Sequence, residues 1–174
     1  VGEFRDGVAL AARYAEALDC PRLNALAGLR PAGCSDAALL TTLVDNLRHA
    51  ADALAPAGRQ VLTEPLNSRD TPGFYLDRTA PALALIAAAA RPNLRLQYDI
   101  YHAQVMEGDL ARTLERHLPQ IGHIQLADNP GRHEPGTGEI NFSFLFRHLA
   151  GLGYTGWIGA EYVPSGASED SFGW

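Results

Sequence analysis

Regular alternation of helix-like and strand-like segments is the feature of this sequence that most constrains its fold. Apolar residues recur at helical spacing in five segments, and a short strand-like apolar run follows each of them. The predicted helices span residues 4–18, 35–54, 79–90, 110–118 and 144–152, and the predicted strands span 20–28, 59–65, 94–100, 122–128 and 156–162. Such alternation predicts a parallel α/β sheet with helices outside it, either a doubly wound open sheet or a (β/α) barrel.

An acid or amide stands at or near the end of each of the last four strands. These residues are Glu64 after "QVLT", Asp99 after "LRLQY", Gln125 after "GHI" and Glu161 after "WIGA". Because the carboxyl ends of parallel strands lie on one face of the sheet, the four side chains are expected to gather there although they are far apart in the chain. In α/β folds that face carries the functional site.

Three carboxylates and one amide offer only oxygen ligands, which favour a hard divalent cation such as Mg²⁺ or Mn²⁺ over zinc. A bound cation also removes the repulsion that would otherwise force converging carboxylates to take up protons. Glutamates on either side of a metal-held hydroxy carbonyl compound are suited to move a proton between adjacent carbons through an enediolate. The alternative is that these residues are ordinary polar caps on the strands.

Composition narrows the class of partner. The chain has 174 residues, 47% of them hydrophobic, which is enough for a single domain covering residues 1–174. Its formal charge is −6 and it has no lysine, so neither nucleic acid nor an anionic membrane is an expected partner. Two cysteines without metal-ligand spacing and the lack of a long apolar run favour a cytoplasmic location.

Three stretches resemble the hydroxypyruvate isomerase family, a branch of the xylose-isomerase-like TIM barrels that also contains 2-oxo-tetronate isomerases and keto-sugar 3-epimerases. They are "TEPLNSRDTPGFYL", "PNLRLQYDIYHAQVMEGDLARTLERHLPQIGHIQLADNPGRHEPGTGEINFSFLFRHL" and "GYTGWIGAEYVPSG". The resemblance implies a (β/α)8 barrel and a metal-dependent isomerase that interconverts hydroxypyruvate and 2-hydroxy-3-oxopropanoate. The alternatives are a 2-oxo-tetronate isomerase, a ketose 3-epimerase, or an inactive metal-binding barrel.

The same resemblance assigns roles to individual residues. It implies Mg²⁺ or Mn²⁺ held by Glu64, Asp99, Gln125 and Glu161, with Glu64 and Glu161 as the pair that takes up and returns the proton. It also implies substrate contacts from four further residues, namely His102, Arg132, Asp70 and His133. The planar guanidinium of Arg132 suits the carboxylate of a small hydroxy-oxo acid.

The chain departs from the family in length. A complete barrel takes roughly 250 residues, and the resemblance places the five units of this chain at strands 4 to 8. We therefore expect an incomplete barrel, whose strands near Leu23 and Ile158 lack neighbours on one side. Open, apolar strand edges favour self-association. The loop after "HIQLAD" is expected to form part of the mouth of the pocket.

Overall fold

The computed structural model describes all residues, 1 to 174. The chain divides into two compact units, Val1–Gln97 and Tyr98–Trp174, and each is described by itself. The elements, in chain order, are α1 (Gly2–Ala17), β1 (Arg22–Asn24), α2 (Asp36–Leu54), β2 (Gln60–Thr63), α3 (Thr79–Ala89), β3 (Leu94–Asp99), α4 (Ile100–Met106), α5 (Leu110–His117), β4 (Ile121–Leu126), α6 (Phe142–Gly151) and β5 (Ile158–Ala160). The last two residues of β3 belong to the second unit.

The first unit is built on three parallel strands. Leu23 of β1 is in register with Val61 of β2, and Val61 is in register with Leu94 of β3. Its core is formed by apolar side chains from the strands and the helices, including Leu47, Leu54, Val61, Leu62, Leu85, Leu94 and Leu96. Burying one such leucine contributes about 1.5–3 kcal/mol, so this core is the main stabilising element of the unit.

Two arginines connect α2 to the end of α3. Arg48 donates from Nη2 to the carbonyl oxygen of Ala88 at 2.8 Å and from Nε to that of Ala89 at 3.2 Å. Arg91 donates from Nε and Nη2 to the two carboxylate oxygens of Asp52, at 2.5 and 2.9 Å. The carbonyls at the end of α3 have no partner within the helix, so Arg48 satisfies groups that would otherwise depend on water.

The second unit pairs β4 with β5 in parallel, with Gln125 in register with Gly159. Its buried side chains include Leu114, Ile124, Leu126, Phe142, Leu145 and Leu149. A β-carbon added at Gly159 would lie 3.1 Å from Nε2 of His123 and 3.4 Å from Cγ of Gln125. The glycine therefore leaves room mainly for the side chain of His123, while Gln125 would lie at ordinary contact distance.

Helices and strands occur where the alternation predicts them, with shifted ends. Ser35 caps α2 as predicted, because its hydroxyl oxygen accepts from the amide of Ala38 at 3.3 Å. Helix α6 begins at Phe142, two residues before the predicted start, because the side chain of Asn141 accepts from the amide of Phe144 at 3.0 Å. Helix α4 was not predicted, and the side chain of Asp99 caps it. None of the helices combines the length and the apolar character needed to cross a membrane.

Candidate active site

Glu64 follows β2 directly and its side chain is buried. The amide of Asn24, at the end of β1, donates to Oε2 of Glu64 at 2.6 Å, and the amide of Gln97 on β3 donates to the same oxygen at 2.7 Å. A buried carboxylate needs such donors, because desolvation otherwise favours its protonated form. The three neighbouring strands of the first unit thus fix the orientation of one carboxylate.

Asp70 lies in the exposed loop after β2, six residues beyond Glu64. Its backbone amide donates to Oδ1 of Asn67 at 2.8 Å, and Nδ2 of Asn67 donates to Oδ2 of Asp70 at 3.0 Å. Asn67 is fully buried, so it fixes the turn that carries Asp70. The predicted contact between Asp70 and a substrate stays a prediction.

Asp99 ends β3 and begins α4. Its Oδ1 accepts from the amide of Tyr101 at 2.8 Å, whereas its buried Oδ2 has no hydrogen-bond partner and lies 3.8 Å from Nε2 of His102. Burial, supported by the nearby charge of Glu161, raises the pKa of Asp99 to about 6, although the Tyr101 amide and the charge of Arg132 act in the opposite direction. His102, on the first turn of α4, is also buried.

Gln125, Arg132 and Glu161 come together in the second unit. Nε2 of Gln125 donates to Oε2 of Glu161 at 2.6 Å, and Nη2 of Arg132 donates to Oε1 of Glu161 at 3.1 Å. Gln125 is on β4, and Glu161 comes directly after β5. The sequence correctly predicts that the ends of these two strands place their polar side chains together.

The loop after β4 also carries the other two predicted substrate contacts. The guanidinium of Arg132 lies over the ring of Tyr101, 5.3 Å from its centroid, and the residue has a positive φ of 56°. Nδ1 of His133 lies 2.6 Å from the carbonyl oxygen of Val163. His133 therefore contacts the segment after β5, whereas Arg132 reaches the carboxylate of Glu161.

Two residues near Glu64 were missed by sequence reasoning. Asn24 and Gln97 both hydrogen-bond Glu64, yet neither was singled out from the sequence. Asn24 is the last residue of β1, the same type of position as the four residues that were predicted. Gln97 lies within β3, where only the paired strands of a folded sheet bring it beside Glu64, so no local signal marks it.

The family model described as "Xylose isomerase-like TIM barrel" matches residues 1–174. The chain belongs to this family. The predicted (β/α)8 barrel, incomplete in this chain, is therefore confirmed, and the strand pairings within each unit are parallel, as that fold requires.

Relatives confirm the resemblance to hydroxypyruvate isomerases. The chain is 49% identical over 172 residues to the hydroxypyruvate isomerase of Escherichia coli K12, an alignment that covers 99% of this chain and 67% of that protein. It is 42% identical to the 2-oxo-tetronate isomerase of Cupriavidus necator, covering 99% of this chain and 66% of that protein. The chain thus spans about two thirds of the length of these relatives.

Solved structures agree on the fold. A crystal structure from Brucella melitensis titled "AP endonuclease, family 2" superposes with a TM-score of 0.96 at 45% identity, covering 99% of this chain and 67% of that one. A D-psicose 3-epimerase from Clostridium cellulolyticum H10, solved with D-tagatose, has a TM-score of 0.80 at 19% identity, covering 94% and 58%. The second likeness shows the shared fold alone.

One structural feature indicates a divalent cation independently of the family, namely a buried carboxylate oxygen that has no hydrogen-bond donor. A buried carboxylate oxygen without a hydrogen bond, such as Oδ2 of Asp99, is costly because nothing replaces its lost hydration. A cation within reach would offset that cost and keep Asp99 ionised near neutral pH. Gln125 and Glu161, in the same unit as Asp99, add further oxygen donors at strand ends, the type that Mg²⁺ and Mn²⁺ prefer.

Proposed function

We propose that this protein is an isomerase that interconverts hydroxypyruvate and 2-hydroxy-3-oxopropanoate with the help of Mg²⁺ or Mn²⁺. The observation that carries the proposal is the hydrogen bond that Arg132 donates to the carboxylate of Glu161. A guanidinium placed beside one carboxylate is also placed to bind the carboxylate of a small oxo acid next to that group. The similarity to hydroxypyruvate isomerases supports this substrate class.

Glu64 and Glu161 are the proposed proton carriers. One carboxylate takes a proton from C3 of hydroxypyruvate, which gives an enediolate, and the other, in its protonated form, gives a proton to C2. The proton of the O3 hydroxyl moves to O2, so C3 becomes the aldehyde carbon and O2 the new hydroxyl. The amides of Asn24 and Gln97 orient Glu64, and Gln125 with Arg132 orients Glu161. Each carboxylate is thus fixed by two donors before substrate arrives.

Glu64, Asp99, Gln125 and Glu161 are the proposed ligands of the cation. When bound, it supplies Lewis-acid stabilisation of the negative charge that develops on the substrate oxygens. Asp99 contributes its otherwise unpartnered buried oxygen. His102, Asp70 and His133 are proposed to contact substrate oxygens or to support the residues that do.

A 2-oxo-tetronate isomerase is the second candidate, because the relative from Cupriavidus necator has that name and 42% identity. The same proton carriers and the same arginine would serve a substrate longer by one carbon. Incubating the protein with each oxo acid in turn and following product formation by NMR separates the two. Under the leading proposal, hydroxypyruvate gives the higher kcat/KM.

DNA is not the proposed substrate, although the structure from Brucella melitensis is titled as an AP endonuclease. A net charge of −6 disfavours binding to a phosphate backbone, because binding of DNA depends on neutralising its phosphates with positive charge. We expect duplex DNA with an abasic site to remain uncut by a metal-loaded preparation. Metal-dependent cleavage would favour the endonuclease instead.

The test of the proposal compares Glu161→Gln with Glu115→Gln, which removes the charge of an exposed glutamate on α5. The first is expected to lower the rate of product formation at least about 100-fold, the usual contribution of one general acid or base. The second is expected to retain the wild-type rate. Chelation should abolish activity and Mg²⁺ or Mn²⁺ restore it. Equal rates in both variants would overturn the assignment, and an inactive wild type would leave the chain as a metal-binding protein only.

A further inference from the structure

Asp128, which follows β4, has a fully buried side chain that no step of the proposed reaction uses. Its carboxylate accepts four backbone hydrogen bonds from the loop that follows. Oδ1 accepts from the amides of Asn129 and Ile140, at 2.9 and 3.1 Å, and Oδ2 accepts from the amides of Gly136 and Gly138, both at 2.9 Å. One side chain therefore replaces the hydrogen bonds that a strand or helix would give to this irregular segment.

The backbone of Asp128 holds the other part of the same loop. Its amide donates to the carbonyl oxygen of His133 at 2.8 Å, and the amide of Glu139 donates to the carbonyl oxygen of Asn129 at 2.9 Å. Gly138 lies so close to this turn that an added β-carbon would collide with the carbonyl oxygen of Asn129. Residues 129–140 thus fold around Asp128 as a closed loop.

Arg132 lies inside that loop, between the Asn129 and Gly136 amides that bind the carboxylate of Asp128. Its positive φ of 56° is unfavourable for a residue with a side chain, so the surrounding bonds must hold it there. Its carbonyl oxygen accepts from the amide of Val163 at 2.8 Å, which ties the loop to the segment after β5. This backbone position is what lets the guanidinium reach Glu161 and the face of Tyr101.

We propose that Asp128 is the positioning residue for Arg132, and that by fixing the loop it sets the affinity of the site for the substrate carboxylate. The inference rests on the proposed function and deepens it, because it gives a buried residue that touches no substrate an indirect effect on substrate binding. Asp128 acts only through the backbone of residues 129–140. Its loss should therefore weaken the binding of the acid more than it slows proton transfer at Glu64 and Glu161.

Asp128→Asn is the variant of choice because it keeps the size and shape of the side chain. An amide has only one acceptor oxygen, so its NH₂ group must face two of the four amide donors, whichever way it is turned. Glu115→Gln is the control, since it removes one negative charge from an exposed position on α5. Gly136→Ala is the second variant, because it strains a backbone φ of 93° without meeting any atom within 4 Å.

The kinetic readout is the division of the effect between KM and kcat for hydroxypyruvate, with the full chain and Mg²⁺. Asp128→Asn is expected to raise KM about tenfold, the effect of losing one well-placed contact, and to change kcat less than about twofold. Gly136→Ala should raise KM in the same direction, and Glu115→Gln should change neither parameter. A lower kcat with KM unchanged would mean a merely structural role and would overturn the proposal.

Limited proteolysis of the native protein tests, independently of catalysis, whether Asp128 holds the loop of residues 129–140. Trypsin cleaves after arginine, and the bond between Arg132 and His133 is protected while the loop is held. Asp128→Asn is expected to speed this cut at least about tenfold, whereas cuts after Arg112 and Arg116 on α5 keep their rates. If the wild type does not turn over hydroxypyruvate, the proposed function fails while this measurement still stands. Unchanged cleavage after Arg132 in Asp128→Asn would show that Asp128 does not hold the loop. If Asp128→Asn does not fold, the kinetic and the proteolysis measurements are made on Gly136→Ala.

Discussion

At the scale of single residues, the two proposed proton carriers differ in their surroundings. Glu64 is buried and accepts from two amides, whereas Glu161 is half exposed and accepts from an amide and a guanidinium. Both arrangements fix the orientation of the carboxylate, one by amide donors within the sheet and one by an amide and a neighbouring guanidinium. The protein therefore orients the two carboxylates by different physical means.

Replacing Asn24 with alanine should affect both stability and activity. The variant removes a 2.6 Å hydrogen bond to a buried carboxylate, and a hydrogen bond to a charged group contributes about 1.5–3 kcal/mol. We expect the free energy of unfolding to fall by that amount, measured by urea denaturation. We also expect the turnover of hydroxypyruvate to fall about tenfold or more, because Glu64 loses one of the donors that orient it.

Asn93→Ala is the matched control for that prediction. The Asn93 amide donates to the carbonyl oxygens of Ala51 and Arg59, at 2.8 and 3.1 Å, and contacts no proposed site residue. Its replacement should lower stability but leave the turnover of the folded protein unchanged. If Asn93→Ala and Asn24→Ala reduced turnover equally, Asn24 would have no specific effect on Glu64.

The sequence predicts where individual polar side chains lie only where position in a strand determines it. Glu64, Asp99, Gln125 and Glu161 stand at or near strand ends, as the alternation of elements predicted, and their roles in a site stay a prediction. Asn24 and Gln97 were missed because their role arises from pairing between strands. Asp128 was also missed, because its four partners are backbone amides of a loop, and a backbone amide has no signature in sequence.

At the scale of elements, the loop after β4 is joined to the segment after β5 along several residues. Val163 contacts Arg132 and His133, and the amide of Ser165 donates to Oε2 of Glu134 at 3.0 Å. Two segments that follow neighbouring strands thus support each other at the end of the sheet where Glu161 lies. This is why glycine- and proline-rich loops there keep a defined shape.

The ion pair between α2 and the end of α3 gives a prediction about pH. The hydrogen bond from Arg91, and secondarily its charge, lowers the pKa of Asp52 below its usual value. A carboxyl group whose pKa is lower in the folded state stabilises the protein above its unfolded-state pKa, and this stabilisation is lost as the pH falls through the folded-state pKa. Asp52→Asn should therefore be less stable than wild type at pH 7, with the difference disappearing in acid.

Chemical denaturation at a series of pH values measures this difference. Asp6→Asn is the control, because it removes an exposed carboxylate from α1 and should show a smaller dependence on pH. A difference between wild type and Asp52→Asn that grows as the pH falls below 4 would contradict the stated sign.

Element prediction succeeded where hydrophobic periodicity is long and failed where a helix is short. The five longer helices follow from their leucine and alanine spacing. Helix α4 has seven residues, and its start is marked by the side chain of Asp99, a residue interpreted only as a strand end and metal ligand. Asp99 both ends β3 and caps α4, so the strand pattern concealed the helix that carries His102.

At the scale of the whole molecule, the first unit has an apolar groove beside β1, where the sequence predicted a strand edge. The groove has a volume of about 260 Å³ and is lined by Phe4, Val8, Ala11, Leu23, Leu26 and Leu54, among others. Leu26 is half exposed within it. Exposed apolar side chains in such a groove favour contact with a second copy of the chain.

We expect sedimentation velocity to show association of the isolated chain that increases with concentration. Leu26→Lys should weaken this association, because a charge in the groove must lose its hydration when the groove is covered. Leu10→Lys is the control, since Leu10 is equally exposed on α1 and does not line the groove. A chain that remains monomeric at every concentration would show that the groove does not drive association.

We propose that this chain moves a proton between C3 and C2 of hydroxypyruvate with Glu64 and Glu161. The most direct measurement is NMR of hydroxypyruvate in D₂O with the 174-residue chain and Mg²⁺, observing the entry of deuterium at C3. Incorporation is expected to exceed the protein-free control, to stop on chelation and to be lost in Glu64→Gln and in Glu161→Gln. Absence of incorporation, or incorporation that persists in both variants, would contradict it.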